Sequence, residues 1–486
     1  MKRLSIFIVG IMVAVVAMSR TFDMKQLGAD AKGIKSCTEL INRTIEKAAS
    51  EGGGTIYFPA GTYLTATIHM KSNITLYLES GAILRFSDKF EDYLPFVTLR
   101  WEGTVMKSLS PLIYAHSADN VTISGRGTLD GNGLKWWLWE FDTRKVIKEN
   151  GGKLPALDKL QQMWVDANKD LEISDYYKPS LERRMFRPPF IQFYECTNIL
   201  IENVKIINSP FWTINPAFCD NVTIHGVTIN NPSSDPKGPN TDGINPSSCR
   251  NVRISDCFIS VGDDCITIKS GRDADGRKYG KACENITITN CIMLSGHGGV
   301  VIGSEMSGGV KRVAISNCVF DGTNAGIRLK ASRGRGGVVE DIRVDNIVMK
   351  NIQGDAFIFD LFYDRLSKVE PVSERTPIFR NIHLSNVTGG YIKGIEEMPV
   401  SELSFSNMNI VAEQGFKAET ATDIRFNNVS FTVDEGPSFD FRQCNGIFLN
   451  DVRSKKPIAN QPVVNIEKDV ENVNIIYCDS TQIMRK

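Results

Sequence analysis

The 486-residue sequence predicts an all-β fold, a single right-handed parallel β-helix with an N-terminal capping helix and a partly helical insertion. Three observations predict this fold. A short phrase recurs, in which a turn residue precedes alternating apolar and polar residues and the phrase ends in Asn or Asp plus an apolar residue. Several starts lie 21 to 23 residues apart, a period typical of stacked coils. The alternation has period two, so each phrase predicts a β-strand.

The last two positions of the phrase predict how the coils stack. Asn tolerates the left-handed backbone of a sharp corner, and it holds the corner position in seven copies: Asn203, Asn290, Asn317, Asn346, Asn386, Asn407 and Asn428. The following position is apolar in nine copies: Val204, Val227, Cys257, Cys291, Cys318, Ile347, Val387, Met408 and Val429. Three of the 11 cysteines are therefore predicted to be buried packing residues, and not a disulfide or a metal set.

The N-terminus carries an export signal. Lys2 and Arg3 precede an apolar run that ends near Met18, so we expect residues 1–19 to be a signal peptide and residues 20–486 to form the β-helix domain. The run is short for a bilayer span. We expect export to the periplasm, cell surface or medium, with no membrane span in the mature chain.

Two segments are predicted to be helical. The stretch 36–50 has apolar residues on one side of a helix and is expected to cap the first coil, which would otherwise expose a sheet edge. From Leu134 to about Arg187 the chain is rich in Trp, Lys, Glu and Asp and has few strand signals. This stretch, 134–187, predicts a partly helical insertion between coils, and long insertions are usually functional.

Composition narrows the partners. The formal net charge is zero, with 56 basic and 56 acidic residues, so nothing global attracts nucleic acid. No Gly-rich phosphate loop with its Lys occurs, and we expect no cofactor and no bound metal. A β-helix of this length buries its own core, so a monomer is expected.

Four polar clusters follow one another at intervals of about one coil. They are Asn240-Thr241-Asp242, Gly262-Asp263-Asp264, Gly296-His297-Gly298 and Arg328-Leu329-Lys330. Asp263 follows Asp242 by 21 residues, so the two are predicted on adjacent coils, about 4.8 Å apart at the backbone. Glycoside hydrolysis uses one protonated carboxyl and one carboxylate, and crowded carboxylates keep a proton that a lone one would lose.

Each cluster also has an ordinary structural explanation. An Asp-Asp pair in a loop is usually a solvated turn, and Asn-Thr-Asp commonly caps one. His297 between glycines can simply fill a bend, and Arg328 with Lys330 can be an exposed strand face. The coil-by-coil order of the clusters, in a chain with only five histidines, favours a functional groove.

Together the four clusters resemble the signature motifs of glycoside hydrolase family 28, the polygalacturonases, with Leu329 where the family usually has Ile. The resemblance implies an inverting hydrolase that cleaves α-1,4-galacturonosyl bonds of pectin or polygalacturonate. It also implies the roles of the site residues. Asp263 is then the general acid, Asp242 and Asp264 are bases that activate water, His297 supports the acid, and Asn240, Arg328 and Lys330 bind substrate.

Further segments resemble the bacterial exo-acting branch of this family, namely 269–276, 303–309 and the stretch from Arg333. Lys269 and Arg333 are accordingly expected to bind substrate. In that branch extra loops close one end of the groove, and the insertion 134–187 is expected to supply such a wall. Release of terminal galacturonate is therefore favoured over internal cleavage.

Several alternatives stay open at this stage. Within the same enzyme class, the alternatives are an endo-polygalacturonase and a galacturonohydrolase of rhamnogalacturonan fragments. Outside it, the same fold serves calcium-dependent pectate lyases and non-catalytic carbohydrate-binding solenoids. The predicted spacing of adjacent coils is shorter than inversion usually requires, because inverting enzymes separate acid and base by about 6.5 to 9.5 Å.

Overall fold

The computed structural model describes residues 20–151, 156–171, 187–363, 368–386, 390–478 and 483–485. The predicted signal peptide, 1–19, and the predicted stacking residue Val387 lie outside these ranges. Within them, no helix is long and apolar enough to cross a membrane.

The chain winds into the predicted right-handed parallel β-helix, and its strands stack in three ladders. The first ladder contains β1 Thr21–Asp23, β3 Gly54–Phe58, β6 Ile74–Leu78, β11 Asp119–Gly125, β14 Thr197–Glu202, β16 Asp220–His225, β18 Arg250–Ser255, β21 Cys283–Thr289, β24 Val310–Asp321, β26 Val338–Lys350, β28 Ile378–Ser385, β30 Val400–Ser454 and β32 Glu471–Ile476.

The second ladder contains β2 Lys32–Ser36, β4 Gly61–Thr65, β7 Ala82–Phe86, β12 Thr128–Asp130, β15 Lys205–Ile207, β17 Thr228–Asn230, β19 Phe258–Ser260 and β22 Ile292–Ser295, and it continues into β24 and β26. The third contains β5 Ile68–His69, β10 Ile113–His116, β13 Ile191–Tyr194, β20 Ile266–Ile268, β23 Val300–Gly303, β25 Ile327–Lys330, β27 Phe357–Asp360, β29 Gly390–Lys393, part of β30, β31 Val464–Ile466 and β33 Ile483–Arg485.

The corner prediction is confirmed. All seven predicted corner asparagines have φ between 53° and 61°. The residue that starts each phrase is left-handed as well, for example Asn198 with φ 55° and Asn285 with φ 58°. Side-chain amides of these residues hydrogen-bond from coil to coil, as from Asn221 Nδ2 to Asn198 Oδ1 at 2.6 Å. Polar ladders therefore line the corners outside the apolar core.

The core is a continuous stack of side chains inside the coils. The predicted stacking positions within the described residues are all buried, including the three cysteines, which are unpaired. Toward the C-terminal coils the stack becomes aromatic. Phe426 lies 4.7 Å from Phe405, 4.9 Å from Phe416 and 4.8 Å from Phe439 between ring centroids.

Within the described ranges, four α-helices pack on the outside of the coils: α1 Thr38–Ser50, α2 Leu134–Glu149, α3 Lys159–Ala167 and α4 Asp273–Tyr279. The cap helix begins at Thr38, two residues later than predicted, and buries Ile41, Thr44, Ile45 and Ala48. Helices α2 and α3 lie in the predicted insertion.

Helix α4 and one hairpin were not predicted from the sequence. Strands β8 Val97–Trp101 and β9 Thr104–Ser108 form an antiparallel hairpin that lies against the outside of the third ladder. The N–H of Arg100 donates to Oε1 of Gln192 at 2.9 Å, and Nε2 of Gln192 donates to the Arg100 carbonyl at 2.9 Å. Since β13 carries Gln192 on its outward face, the hairpin covers the ladder there.

The aromatic stack predicts a test of core stability. Because Phe426 is fully buried among other rings, Phe426→Ala should lower the free energy of unfolding by about 3 to 5 kcal/mol. Chemical denaturation followed by tryptophan fluorescence measures it. The control is Val411→Ala at a position 70% exposed, which should change little. Equal effects of the two substitutions would contradict the stacking account.

Candidate active site

Four successive coils of the third ladder carry the predicted site. Ile244 pairs with Ile266, Ile266 with Val300, and Val300 with Ile327. Onto these coils fall, in order, Asp242, then Asp263 with Asp264, then His297, and then Arg328 with Lys330. Neighbouring coils are joined at the site by backbone bonds. The Gly243 N–H donates to the Asp264 carbonyl at 3.0 Å, and the His297 N–H donates to the Asp263 carbonyl at 2.9 Å.

Asp263 is held mainly through one carboxylate oxygen. Its Oδ1 accepts from Nδ1 of His297 and from the N–H of Asp264, both at 3.0 Å. Its Oδ2 has a single long contact, with Nδ2 of Asn240 at 3.5 Å. Oδ2 is therefore the oxygen best placed to carry a proton.

Asp264 and Asp242 are both buried but have different partners. Lys330 Nζ donates to Oδ2 of Asp264 at 2.8 Å, while Oδ1 of Asp264 accepts no hydrogen bond from the described protein atoms. Asp242 Oδ2 accepts from Nδ2 of Asn245 at 3.0 Å. Among the residues described, no cation lies within ion-pair distance of Asp242, so its charge is the least compensated of the three.

The surroundings shift the pKa values of Asp242 and Asp263 in opposite directions. Burial raises the pKa of Asp242 well above its usual range, and the neighbouring charge of Asp263 adds to this. Burial also raises the pKa of Asp263, but the hydrogen bond of His297 and the charge of its ring when protonated, with Lys330 and Lys269, outweigh burial and lower it to about 2. Such carboxylates titrate as a coupled set. In the substrate-free protein the retained proton belongs on Asp242.

The cations of the fourth coil share an aromatic neighbour. Arg328 and Lys330 lie 5.4 Å and 5.0 Å from the ring centroid of Tyr363, which follows β27 on the next coil. Lys330 is 6% exposed and is committed to Asp264, whereas Arg328 is half-buried. Arg328 is therefore the cation better placed to meet an anionic ligand.

The other two predicted binding residues have internal partners. Lys269 is buried, and its Nζ lies 2.7 Å from Oε2 of Glu305 and 4.6 Å from the ring of Trp212. Arg333 is buried as well and donates from Nη2 to Oε2 of Glu397 at 2.7 Å. The structure does not bring Arg333 into contact with the carboxylate cluster.

Asn240 is tied to the insertion through a buried arginine. Arg187 Nη2 donates to Oδ1 of Asn240 at 2.8 Å, and its Nη1 donates to the Pro239 carbonyl at 2.6 Å. Arg187 Nε lies 3.5 Å from Oε2 of Glu140 on α2. The inserted helix thus braces the loop that carries the first motif.

Sequence reasoning missed three groups around the site. Lys237 lies only three residues before Asn240, yet nothing in its pattern marks it as a partner of His297, 60 residues away. Tyr363 follows a strand one coil beyond Lys330, which the coil spacing could have indicated. Arg187 was read only as the end of the insertion.

The donor set does not fit a metal centre. Asp263, Asp264 and His297 offer ligand atoms within 4.8 Å of one another, the one such group among the described residues. Two of these three groups already accept from ammonium groups, Asp264 from Lys330 and His297 from Lys237. A divalent cation at this group would lie beside the ammonium groups of Lys330 and Lys237, whose positive charges oppose its binding.

A β-helix that gathers buried carboxylates, a histidine and cations on adjacent coils defines a class, the β-helical glycoside hydrolases. The profile of Glycosyl hydrolases family 28 matches residues 176–438, and the profile Rhamnogalacturonase A/epimerase, pectate lyase-like matches residues 21–96. The chain belongs to glycosyl hydrolase family 28.

Relatives that align over most of the chain include proteins named as endo-acting and as exo-acting polygalacturonases. A probable polygalacturonase of Vitis vinifera is 31% identical over 397 residues, which cover 78% of this chain and 72% of the relative. An endo-polygalacturonase of Pectobacterium carotovorum subsp. carotovorum is 26% identical, covering 86% and 90%. The crystal structure of a hyperthermoactive exopolygalacturonase from Thermotoga maritima is 35% identical, with a TM-score of 0.72, covering 85% and 91%.

The raised pKa of Asp242 predicts a pH-dependent cost. The folded protein binds this proton more tightly than the unfolded chain, whose Asp titrates near about 3.9, so stability falls as pH rises from there to the folded pKa. Asp242→Asn removes the charge and keeps an acceptor for Asn245. The variant should unfold at a higher temperature than the parent at about pH 7, and this advantage should vanish below about pH 4.

Thermal unfolding by circular dichroism across this pH range measures the effect. Asp142→Asn, at an exposed position on α2, is the control and should leave the pH dependence unchanged. A gain that is the same at every pH, or a less stable variant at neutral pH, would show that Asp242 is not destabilised by its charge.

Proposed function

We propose that the protein is an inverting exo-polygalacturonase that removes galacturonate from the end of polygalacturonate or of pectic oligosaccharides. The observation that carries the proposal is the carboxylate cluster on adjacent coils with His297 on one side and Lys330 on the other. Family membership supports an action on galacturonosyl bonds.

Asp263 is the general acid in this proposal. Its Oδ1 is occupied by His297 and the N–H of Asp264, so a proton on Oδ2 faces away from both donors. The pKa of about 2 applies to the substrate-free site. A bound substrate excludes water and brings its own carboxylate, and both effects raise the pKa of Asp263. The proposal requires that the proton of the cluster then lies on Asp263 while Asp242 is ionised.

Asp264 and Asp242 are the bases that position and activate water. The buried Oδ1 of Asp264 has an acceptor site that no described protein donor uses, and a nucleophilic water can donate to it. Atoms of Asp263 and Asp264 lie within 4.8 Å, closer than in most inverting enzymes. Inversion is therefore proposed on family resemblance and not on this distance.

Charge supports recognition of an acidic sugar. Arg328 presents a guanidinium beside Tyr363, and a guanidinium binds a carboxylate through paired charge-assisted hydrogen bonds. Asn240 adds an amide next to Oδ2 of Asp263. The contacts of Lys269 and Arg333 favour a supporting role, in which they hold Glu305 and Glu397, over direct contact with substrate.

The hairpin β8–β9 supports exo action. Besides its bonds to Gln192, Arg100 Nη1 donates to Oγ of Ser248 at 2.7 Å, and Trp101 stacks on Phe211 at 4.9 Å. At the hairpin tip, Gly103 packs so tightly that a Cβ there would lie 2.9 Å from Cβ of Glu305. The hairpin thus covers the outer face of the third ladder at Gln192, Ser248 and Glu305, and in the proposal it blocks the path of a continuing polysaccharide there.

The insertion contributes to this wall indirectly. Asn168 follows α3, and its side chain accepts from the N–H of Lys107 and donates to the Lys107 carbonyl, both at 2.8 Å. These two bonds attach the insertion to the backbone of β9. The sequence analysis assigned the wall to the insertion itself. In the proposal the hairpin is the wall and the insertion holds it in place.

Two further expectations belong to the proposal. We propose that the protein is exported, since its N-terminal nineteen residues have the composition of a signal peptide. We also propose that it acts as a monomer on pectic polysaccharide or oligogalacturonide without a cofactor.

Product size tests the exo assignment. Early digests of polygalacturonate should contain galacturonic acid alone, because the hairpin admits only a chain end. Ion-exchange chromatography with pulsed amperometric detection resolves the products. A ladder of oligomers at the earliest times would overturn exo action, and products with the ultraviolet absorbance of unsaturated uronides, lost on EDTA treatment, would indicate a lyase.

Substitution of the acid tests the catalytic assignment. Asp263→Asn should lower kcat on trigalacturonate by about 10² to 10⁴, the usual contribution of a general acid. Asp142→Asn, prepared in the same way, should retain full activity and excludes a contaminating enzyme as the source. Full activity in the Asp263 variant would contradict the assignment of Asp263 as the general acid.

A further inference from the structure

Lys237 makes a contact with the catalytic cluster that the proposed function does not use. Its Nζ lies 2.7 Å from Nε2 of His297, and Nδ1 of the same ring lies 3.0 Å from Oδ1 of Asp263. We propose that Lys237 is a positioning residue that fixes His297 as the neutral tautomer with its hydrogen on Nδ1. Its catalytic value rests on the proposed general-acid role of Asp263.

The tautomer follows from the donors available. An ammonium group has three donors and no acceptor, so Lys237 donates to Nε2, which must then carry a lone pair. The hydrogen of the neutral ring is therefore on Nδ1, where it donates to Asp263. Without such a partner, Nε2 can take up a proton and the ring becomes an imidazolium.

The loop around Lys237 is built to present it. The N–H of Gly238 donates to the Pro232 carbonyl at 2.9 Å, and Oγ1 of Thr241 donates to the Gly238 carbonyl at 2.7 Å. The same Oγ1 accepts from the N–H of Gly262 at 3.1 Å, on the following coil. These bonds join the lysine loop to the turn that bears Asp263, so Lys237 and the acid are held in one frame.

The arrangement keeps the positive charge one ring away from the acid. An imidazolium in direct contact would favour ionised Asp263, because an opposite charge within about 4 to 6 Å lowers a carboxyl pKa. A neutral ring still orients Oδ1 but leaves Oδ2 able to hold the proton for the leaving group. The other charges that face Asp263 are those of Asp242, Asp264, Lys330 and Lys269, and they are the same whether the ring is neutral or protonated.

Nitrogen NMR of the histidines tests the tautomer directly. The chain has five histidines, so spectra of protein labelled with ¹⁵N-histidine are simple, and a His297→Gln variant assigns the signal. In the parent protein we expect Nδ1 protonated and Nε2 unprotonated at the pH of maximal activity. In Lys237→Met the signal should move toward the imidazolium, with both ring nitrogens protonated. Lys205→Met, at an exposed site on β15, is the control and should match the parent.

The kinetic consequence is a shifted pH profile. With Lys237→Met, His297 can take up a proton at Nε2 beside Asp263, so the alkaline limb of kcat should move to lower pH by about one unit. KM should change less than kcat. The proposal is overturned if the parent ring is protonated on Nε2, or if Lys237→Met keeps Nε2 unprotonated as in the parent. It is also overturned if that variant raises KM alone, which would make Lys237 a substrate contact.

The NMR result does not depend on turnover. A failure to hydrolyse galacturonosyl bonds would refute the proposed function and leave the tautomer assignment standing. An Nε2–H ring in a fully active hydrolase would refute only the role of Lys237.

Discussion

The hydrogen-bonded stacking of one coil on the next is the constraint on which the rest of the molecule depends. The site has no local structure of its own, because each functional residue is placed by the strand that follows or carries it. The pairing of Ile244, Ile266, Val300 and Ile327 sets four polar clusters from distant parts of the sequence at successive heights. A shift of one residue in any strand would turn its side chains to the opposite face.

Within that frame, the chemistry is set by how charge is distributed over buried groups. An unpaired buried carboxylate is costly, and the protein gives Asp264 a lysine and Asp263 a histidine, whereas Asp242 has only the neutral donors Asn245 and Thr267 among the described residues. The carboxylates therefore differ in protonation although they are chemically identical. This difference is what separates an acid from a base in hydrolysis.

Much of this could be predicted from the sequence, since period-two alternation and left-handed corners are local properties. Asn203 and Asn290 mark corners through their left-handed backbone. The spacing of the four site motifs predicts that these motifs lie on adjacent coils. The hairpin at 97–108 could not be predicted, because its position depends on contacts between Arg100 and distant residues such as Ser248. The contact of Lys237 with His297 likewise depends on loop geometry and not on spacing.

The central claim is that these carboxylates deliver water to the face of the sugar opposite the bond that is broken. Proton NMR of the anomeric signals during the first seconds of digestion tests it most directly, before mutarotation mixes the anomers. Since the substrate linkage is α, an inverting site must release β-galacturonate first. Release of the α-anomer first would mean a covalent intermediate and retention, and would contradict the roles assigned to Asp242 and Asp264.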